Sequence, residues 1–211
     1  MRRRFSTGRW IGRTGRRKAG IAMNTSSRLL EFMHERKLVR FSRRFEGGWV
    51  HGYVLDVGPK FALLATLGEV RFDGFGCFAI ADMKGLRLDP YAAFSEAARK
   101  KLRDRKPRRP KVSVASVEEL LLSANQAFPL ITIHRERIKP ESCWIGKVEK
   151  VERGKVTLME IGPDAQWDEE STSYKLSEIT CVEFGGEYEN ALHFVGGEPS
   201  AKSKTRSTTP R

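Results

Sequence analysis

The sequence predicts a mainly β chain with short helices, organised as two tandem five-stranded small barrels, each preceded by a helix. Three observations predict it. The stretch from Cys143 to Phe184 has a degenerate copy in the first half, where Gly52 meets Gly146, Val54 meets Val148 and Val57 meets Val151 at an offset of 94. Short apolar runs recur between turn signals throughout both copies, which is the pattern of antiparallel strands. The charge lies mostly outside the two copies, so composition itself marks arms and a linker.

The copies extend beyond the strands that define them. Leu63 meets Leu158, and Met83 and Leu86 meet Ile179 and Val182, one or two residues out of the first frame. Upstream, Leu29-Leu30 and Leu38-Val39 meet Leu121-Leu122 and Leu130-Ile131 at an offset of 92. In the first copy Leu29, Leu30, Phe32 and Met33 mark a helix that Thr25, Ser26 or Ser27 can cap. Lys37–Ser42, Trp49–Asp56 and Phe61–Thr66 then read as strands, with Glu46-Gly-Gly as a turn. Val70–Asp73 and Cys77–Asp82 follow as further strand segments, and Lys84, Gly85 and Arg87 lie in the closing turn and strand. Tyr91–Arg103 reads as a second helix. In the second copy Ser116 and Glu119 have capping-box spacing, and Ala127-Phe-Pro ends the helix. Ile131–Arg137 alternates as a strand, with His134 facing solvent. Glu187 onward begins a short terminal helix.

Five segments follow: a basic arm over 1–24, a first barrel over 25–96, a basic linker over 97–114, a second barrel over 115–197 and a tail over 198–211. Arm and tail are expected to be disordered. Met23 is a second candidate start, so residues 1–22 stand apart from the folded chain. The formal charge of +13 resolves into +8 for residues 1–24, +1 for 25–96, +8 for 97–112, −7 for 113–197 and +3 for 198–211. Basic arms rather than a basic fold-borne groove are therefore expected.

Gly52, Val54, Val57, Phe61, Leu63 and Leu64 resemble the first motif of the Sm-like family, and Gly146, Val148, Val151 and Leu158 follow it loosely. Met83-Lys84-Gly85 resembles the apolar-basic-Gly turn of the second motif, whereas Ile179-Thr180-Cys181 does not. The resemblance implies tandem Sm-like (SH3-like) barrels and, through the family, an RNA-binding rim. The rim's Asp position is Gly58 or Glu152 here, its Asn position is Ala62 or Val156, and Tyr174-Lys175 is followed by Leu176 rather than His. The second copy is also similar to bacterial proteins of no assigned activity.

Catalytic and metal chemistry have no motif here. The three cysteines, Cys77, Cys143 and Cys181, form no CxxC, and Cys143 and Cys181 read as small buried hydrophobes. A reducing cytoplasm is the expected compartment. The His residues form no ligand spacing with the cysteines, and Asp164, Asp168, Glu169 and Glu170 lack EF-hand spacing. No cofactor and no small-molecule substrate are indicated, and no apolar run approaches the ~20 residues that cross a bilayer. Only a pocket bringing Cys77 or Cys143 beside a His would reopen an enzymatic reading. The expected function is non-enzymatic binding or scaffolding, with a protein partner or self-association through strand edges and Trp167 as a partner contact. The alternative is RNA or single-stranded nucleic-acid binding through Lys84, Arg87, Arg99, Lys100, Lys101, Arg103, Arg105, Arg108 and Arg109.

Overall fold

Ten antiparallel strands and four helices make up the computed structural model, which describes residues 24–45, 48–105 and 108–199. Residues 1–23 of the basic arm, residues 46–47 of the Glu46-Gly-Gly turn, residues 106–107 of the linker and the tail from residue 200 lie outside the described residues. The first half runs α1 (Thr25–His34), β1 (Leu38–Arg43), β2 (Trp49–Val57), β3 (Phe61–Leu67), β4 (Phe72–Ala79), a 3-10 turn (Ile80–Asp82), β5 (Met83–Leu88) and α2 (Ala92–Lys101). The second runs α3 (Val117–Ala127), β6 (Ile131–His134), β7 (Cys143–Glu152), β8 (Lys155–Glu160), β9 (Thr172–Lys175), a 3-10 turn (Leu176–Glu178), β10 (Cys181–Phe184) and α4 (Glu187–Gly196).

The expected barrels do not form. The strands join into a single open sheet in the order β5-β1-β2-β3-β4-β10-β6-β7-β8-β9. Within it each half has the same order: its last strand, then its first, second, third and fourth. Closing the first half on itself would require β4 to pair with β5. The edge of β4 is instead taken by β10, with Phe75–Phe78 opposite Cys181–Phe184. A strand has only two edges, so β4 cannot serve both partners.

The repeat is visible in detail. Both long strands shift register at the same place, between Val54 and Asp56 in β2 and between Val148 and Lys150 in β7. Each shift is a bulge that bends its strand. Leu64 opposes Val54 as Leu158 opposes Val148, so the offset of 94 holds through the third strand and Leu64, not Leu63, is the counterpart of Leu158. It then widens to 96: Ile80 N–H donates to Lys60 C=O at 2.9 Å, and Leu176 N–H to Gly154 C=O at 2.9 Å. Gly52 and Gly146 are required by close approach. A Cβ would sit 2.6 Å from the Ala65 carbonyl oxygen at the first and 2.1 Å from that of Met159 at the second.

The sheet carries a core on each face. Residues in one cross-strand row point to one side, so Val39, Phe41, Val54, Ala62, Leu64, Phe78 and Cys181 form one core with Leu29 and Phe32 of α1. Leu63, Cys77, Ile133 and Val182 form the other with Leu120, Leu121 and Ala124 of α3. Each fully buried Leu or Ile contributes about 1.5–3 kcal/mol. α1 is ten residues long, too short to persist alone, so its docking through Leu29 and Phe32 stabilises it. Leu30, expected on the apolar side of α1, is half exposed, as is its repeat counterpart Leu122. The α1 cap is Asn24, whose side chain accepts from Ser27 N–H at 2.8 Å, because Thr25, Ser26 and Ser27 lie inside the first turn. At α3 the expected cap holds, with Ser116 Oγ accepting from Glu119 N–H at 3.1 Å.

The stretch expected as a basic linker is built into the fold at both ends. Arg99 is buried, and Val112 and Val114 belong to the α3-side core. Two strand expectations also change. Val70–Asp73 and Cys77–Asp82 are not separate strands: β4 runs continuously across Gly74, and Ile80–Asp82 is a 3-10 turn. β6 stops at His134, and Thr132 is as buried as Ile131 and Ile133, because strands in mid-sheet are covered on both faces. Gly146→Ala, which forces Cβ onto a backbone oxygen, is expected to destabilise the fold by at least about 2 kcal/mol and lower Tm by roughly 4–8 °C. Gly48→Ala, with nothing within 4 Å of the added Cβ, is expected to be neutral in the same thermal unfolding experiment.

Candidate functional site

Chemistry-bearing residues concentrate where the halves meet and at the outer end of the first half. At the junction, Arg43 at the end of β1 reaches over the Phe78 ring and donates two hydrogen bonds to Glu136, one at 2.6 Å and a second to the other carboxylate oxygen. Thr180 Oγ1 also donates to Glu136, and Arg137 donates to Asp82 at 2.6 Å. Arg43 and Glu136 side chains are each only 2% exposed. Such a pair contributes little by existing and costs about 3–5 kcal/mol when one member is removed, because the other charge is left buried.

Beside this network, β4, β6, β7 and β10 form the floor of a pocket of about 240 Å³, with Tyr188 and Glu189 of α4 at its wall. His134 stands opposite Cys181 on one side and Cys143 on the other, so the three share a cross-strand row. Glu183, two residues after Cys181, faces the same way. His134 Nε2 lies 2.8 Å from Glu183 Oε2, and Thr132 Oγ1 donates to Glu189 at 2.6 Å. A ring nitrogen of His134, Cys181 Sγ and a Glu183 carboxylate oxygen all lie within 4.8 Å of one another. Burial pushes the Glu183 carboxyl upward, but the hydrogen bond and charge of His134, aided by Arg43, outweigh it and hold the group below the usual carboxylate range. His134 is thus half-buried and paired rather than solvent-facing.

Cys143 is exposed, not the buried hydrophobe expected, because β7 presents it to the pocket rather than to a core. It does sit beside a His. Burial first, then Glu183 and Glu189, push its thiol upward, which favours the protonated, unreactive form. His134 Nε2 faces Glu183.

At the outer end, Trp49 of β2 has Arg40 and Arg87, directly opposed on β1 and β5, each 4.5 Å from its ring centre. His51 pairs with Asp89, and Tyr91, which precedes α2, and Phe94 within it stand two-thirds exposed on the rim of a pocket of about 630 Å³. Of the residues expected to contact nucleic acid, Lys84 and Arg87 are exposed on β5. Lys100, Lys101, Arg103, Arg105 and Arg108 are also exposed, and Arg109 pairs with Asp56. Arg99 is turned inward: its guanidinium lies 4.5 Å from the Phe72 ring and donates to Tyr53 Oη at 2.9 Å. Burial and the hydrogen bond to Glu96 push the Tyr53 hydroxyl up to about 12 despite that cation. Trp167, half-buried, donates to Gly196 C=O at 3.3 Å and packs on the Leu130, Ile161, Ala165 and Leu192 cluster.

Sequence reasoning missed the Arg43–Glu136 pair and the His134–Cys181–Glu183 group. The one available signal was Cys181-x-Glu183, which puts both side chains on one strand face. Against known protein families, curated proteins and solved structures, the chain matches none. Among the described residues no helix is long and apolar enough to cross a membrane.

Arg43→Met is expected to cost about 3–5 kcal/mol in urea unfolding, against under about 1 kcal/mol for Arg109→Ala at the exposed Asp56 pair. Equal costs would show that the junction pair is not uniquely important.

Proposed function

We propose that the chain is a non-enzymatic scaffold that assembles by repeating its own internal junction between copies. One observation carries this reading. β4 of the first half pairs with β10 of the second, and the counterparts of those strands, β9 and β5, form the two outer ends of the sheet. The correspondence extends to single backbone groups. Ala79 N–H donates to Thr180 C=O across the junction at 3.1 Å. Its counterpart at the offset of 96 is Lys175. Because Leu176 N–H donates to Gly154 C=O, the alternation of the antiparallel ladder turns Lys175 N–H away from β8, toward the open edge. β9 is only four residues long, but the internal junction itself uses only four pairs.

β-strand addition of this kind takes its affinity from main-chain hydrogen bonds. The junction register would set Arg87 of one copy opposite Thr172 of the next, near Glu169 and Glu170. The acidic second half and the Lys84–Arg87 strand suit each other in charge. The halves, each with the strand order described, are read as divergent Sm-like modules opened into one sheet. The resemblance to the Sm-like motifs supports that reading, and the bulges shared by β2 and β7 add to it.

Sedimentation velocity tests the assembly. A mass that is a multiple of the 24.0 kDa chain is expected. Lys175→Pro should reduce it to the monomer without unfolding it, because Lys175 already has φ −74°, which proline adopts, and its N–H is not used within the chain's ladder. A wild-type chain that is monomeric at every concentration would sink the proposal.

A second reading, single-stranded nucleic-acid binding, is favoured by the outer patch. Arg40, Arg87 and Lys84 supply cations, and Tyr91 and Phe94 supply open rings for base stacking. Stacking is worth about 1–3 kcal/mol per base, so Tyr91→Ala with Phe94→Ala should weaken binding of labelled single-stranded RNA at least about tenfold. Across a salt series the wild-type affinity should keep a salt-resistant part. Binding that is indifferent to this double change and collapses at physiological salt would assign the affinity to the basic segments alone.

A further inference from the structure

We propose that His134, Cys181 and Glu183 form a zinc site whose fourth position opens into the pocket between the halves. The donor set is an imidazole nitrogen, a thiolate and a carboxylate, the three ligand types zinc takes. Two neighbouring strands supply it. Cys181 and Glu183 are two apart on β10 and so share a face, and β6 brings His134 directly opposite Cys181. The ligand atoms all lie within 4.8 Å of one another, and the His134–Glu183 contact is 2.8 Å. Tetrahedral zinc with ordinary bond lengths holds such atoms roughly 3.3–3.6 Å apart. Small side-chain rotations therefore suffice: the His–Glu contact opens by about half an ångström and the longest separation closes by about one.

The surroundings fit a bound dication. Cys181 is wholly buried in the α1-side core, so the thiolate side of the site is dry. His134 and Glu183 are partly open, and the pocket above them is lined by Asp73, Thr132, Cys143 and Glu189. One thiolate and one carboxylate neutralise Zn²⁺, so no net charge is buried. Binding releases to solvent the Cys181 thiol proton and the proton on the ligating nitrogen of His134, breaks the His134–Glu183 hydrogen bond, and forms the Zn–S, Zn–N and Zn–O bonds with no change of oxidation state. Three protein ligands with one open position is the arrangement of sites that bind water or a substrate at the metal, whereas closed four-ligand sites are structural. Asp73 and Glu189 line the same pocket as that open position.

The test uses the full chain, reduced and stripped with a chelator, loaded with Zn²⁺ and freed of unbound metal by gel filtration. One zinc retained per chain is expected. Loading with Co²⁺ should give a thiolate-to-cobalt charge-transfer band that is lost in Cys181→Ser and kept in Cys143→Ser. His134→Gln and Glu183→Gln, whose side chains reach the pocket, should stay folded by circular dichroism and bind Zn²⁺ at least about tenfold more weakly. They carry the test alone if Cys181→Ser does not fold. A folded wild-type chain that retains no zinc overturns the proposal. So does a cobalt–thiolate band that survives Cys181→Ser, or a Glu183→Gln chain that binds zinc as tightly as wild type.

Discussion

The pairing of β4 with β10 is the contact on which the rest of the structure depends. It turns two small sheets into one and buries both faces of the strands at its centre. Phe78 and Cys181 meet in the core under α1, while Cys77 and Val182 meet in the core under α3. Neither half could cover those faces alone with a single short helix. The same pairing draws the ends of β1, β5 and β6 together, and that is why a charged pair as buried as Arg43 and Glu136 exists. Thr180 sits in both roles, accepting the Ala79 N–H across the pairing and donating its hydroxyl to Glu136.

Much of the local structure was legible in the sequence because it is written in short-range signals. Bent strands show as Gly52 and Gly146 at a fixed spacing, helix starts as Ser116 with Glu119, and strands as brief apolar runs. The order of elements in each half follows from these, while the first half's strand count does not, because Val70–Asp73 and Cys77–Asp82 resolve into one strand and a 3-10 turn. The closure into barrels was read wrongly because nothing local says which edge a strand will prefer. β4 finds its partner some hundred residues away, and only the three-dimensional register shows it. The same limit hid the pocket, since His134 and Glu183 are 49 residues apart and become neighbours only through β6 and β10.

Charge density misled in a different way. Residues 97–112 hold nine basic side chains and one acid, which reads as a solvated spacer. Two physical features override that count. An arginine carries a flat guanidinium that stacks on aromatic rings, so Arg99 is buried against Phe72 and Tyr53 while its neighbours Lys100 and Lys101 stay in water. And Val112 and Val114, sparse among the charges, are enough to pin the chain into the core beneath α3. A handful of apolar or planar groups decides where a segment goes, and the remaining charges only have to reach solvent. The trace left in the sequence is the single apolar alternation at Val112-Ser-Val114.

An interface that joins β4-type to β5-type edges is head-to-tail, because the two edges differ. Such an interface either closes into a ring or continues as a filament, and the rotation per step decides which. Here that rotation is not adjustable copy by copy. Half the steps would be the covalently tethered junction, whose geometry is held by the two cores and by Arg43–Glu136. The other half would use strands of the same order with the same bulges. The bend in β2 and β7 then sets the curvature of every module alike. Identical steps without rise along the axis would close after a small, fixed number of chains, with every end satisfied and no edge left to recruit further strands, whereas identical steps with rise would continue as a filament.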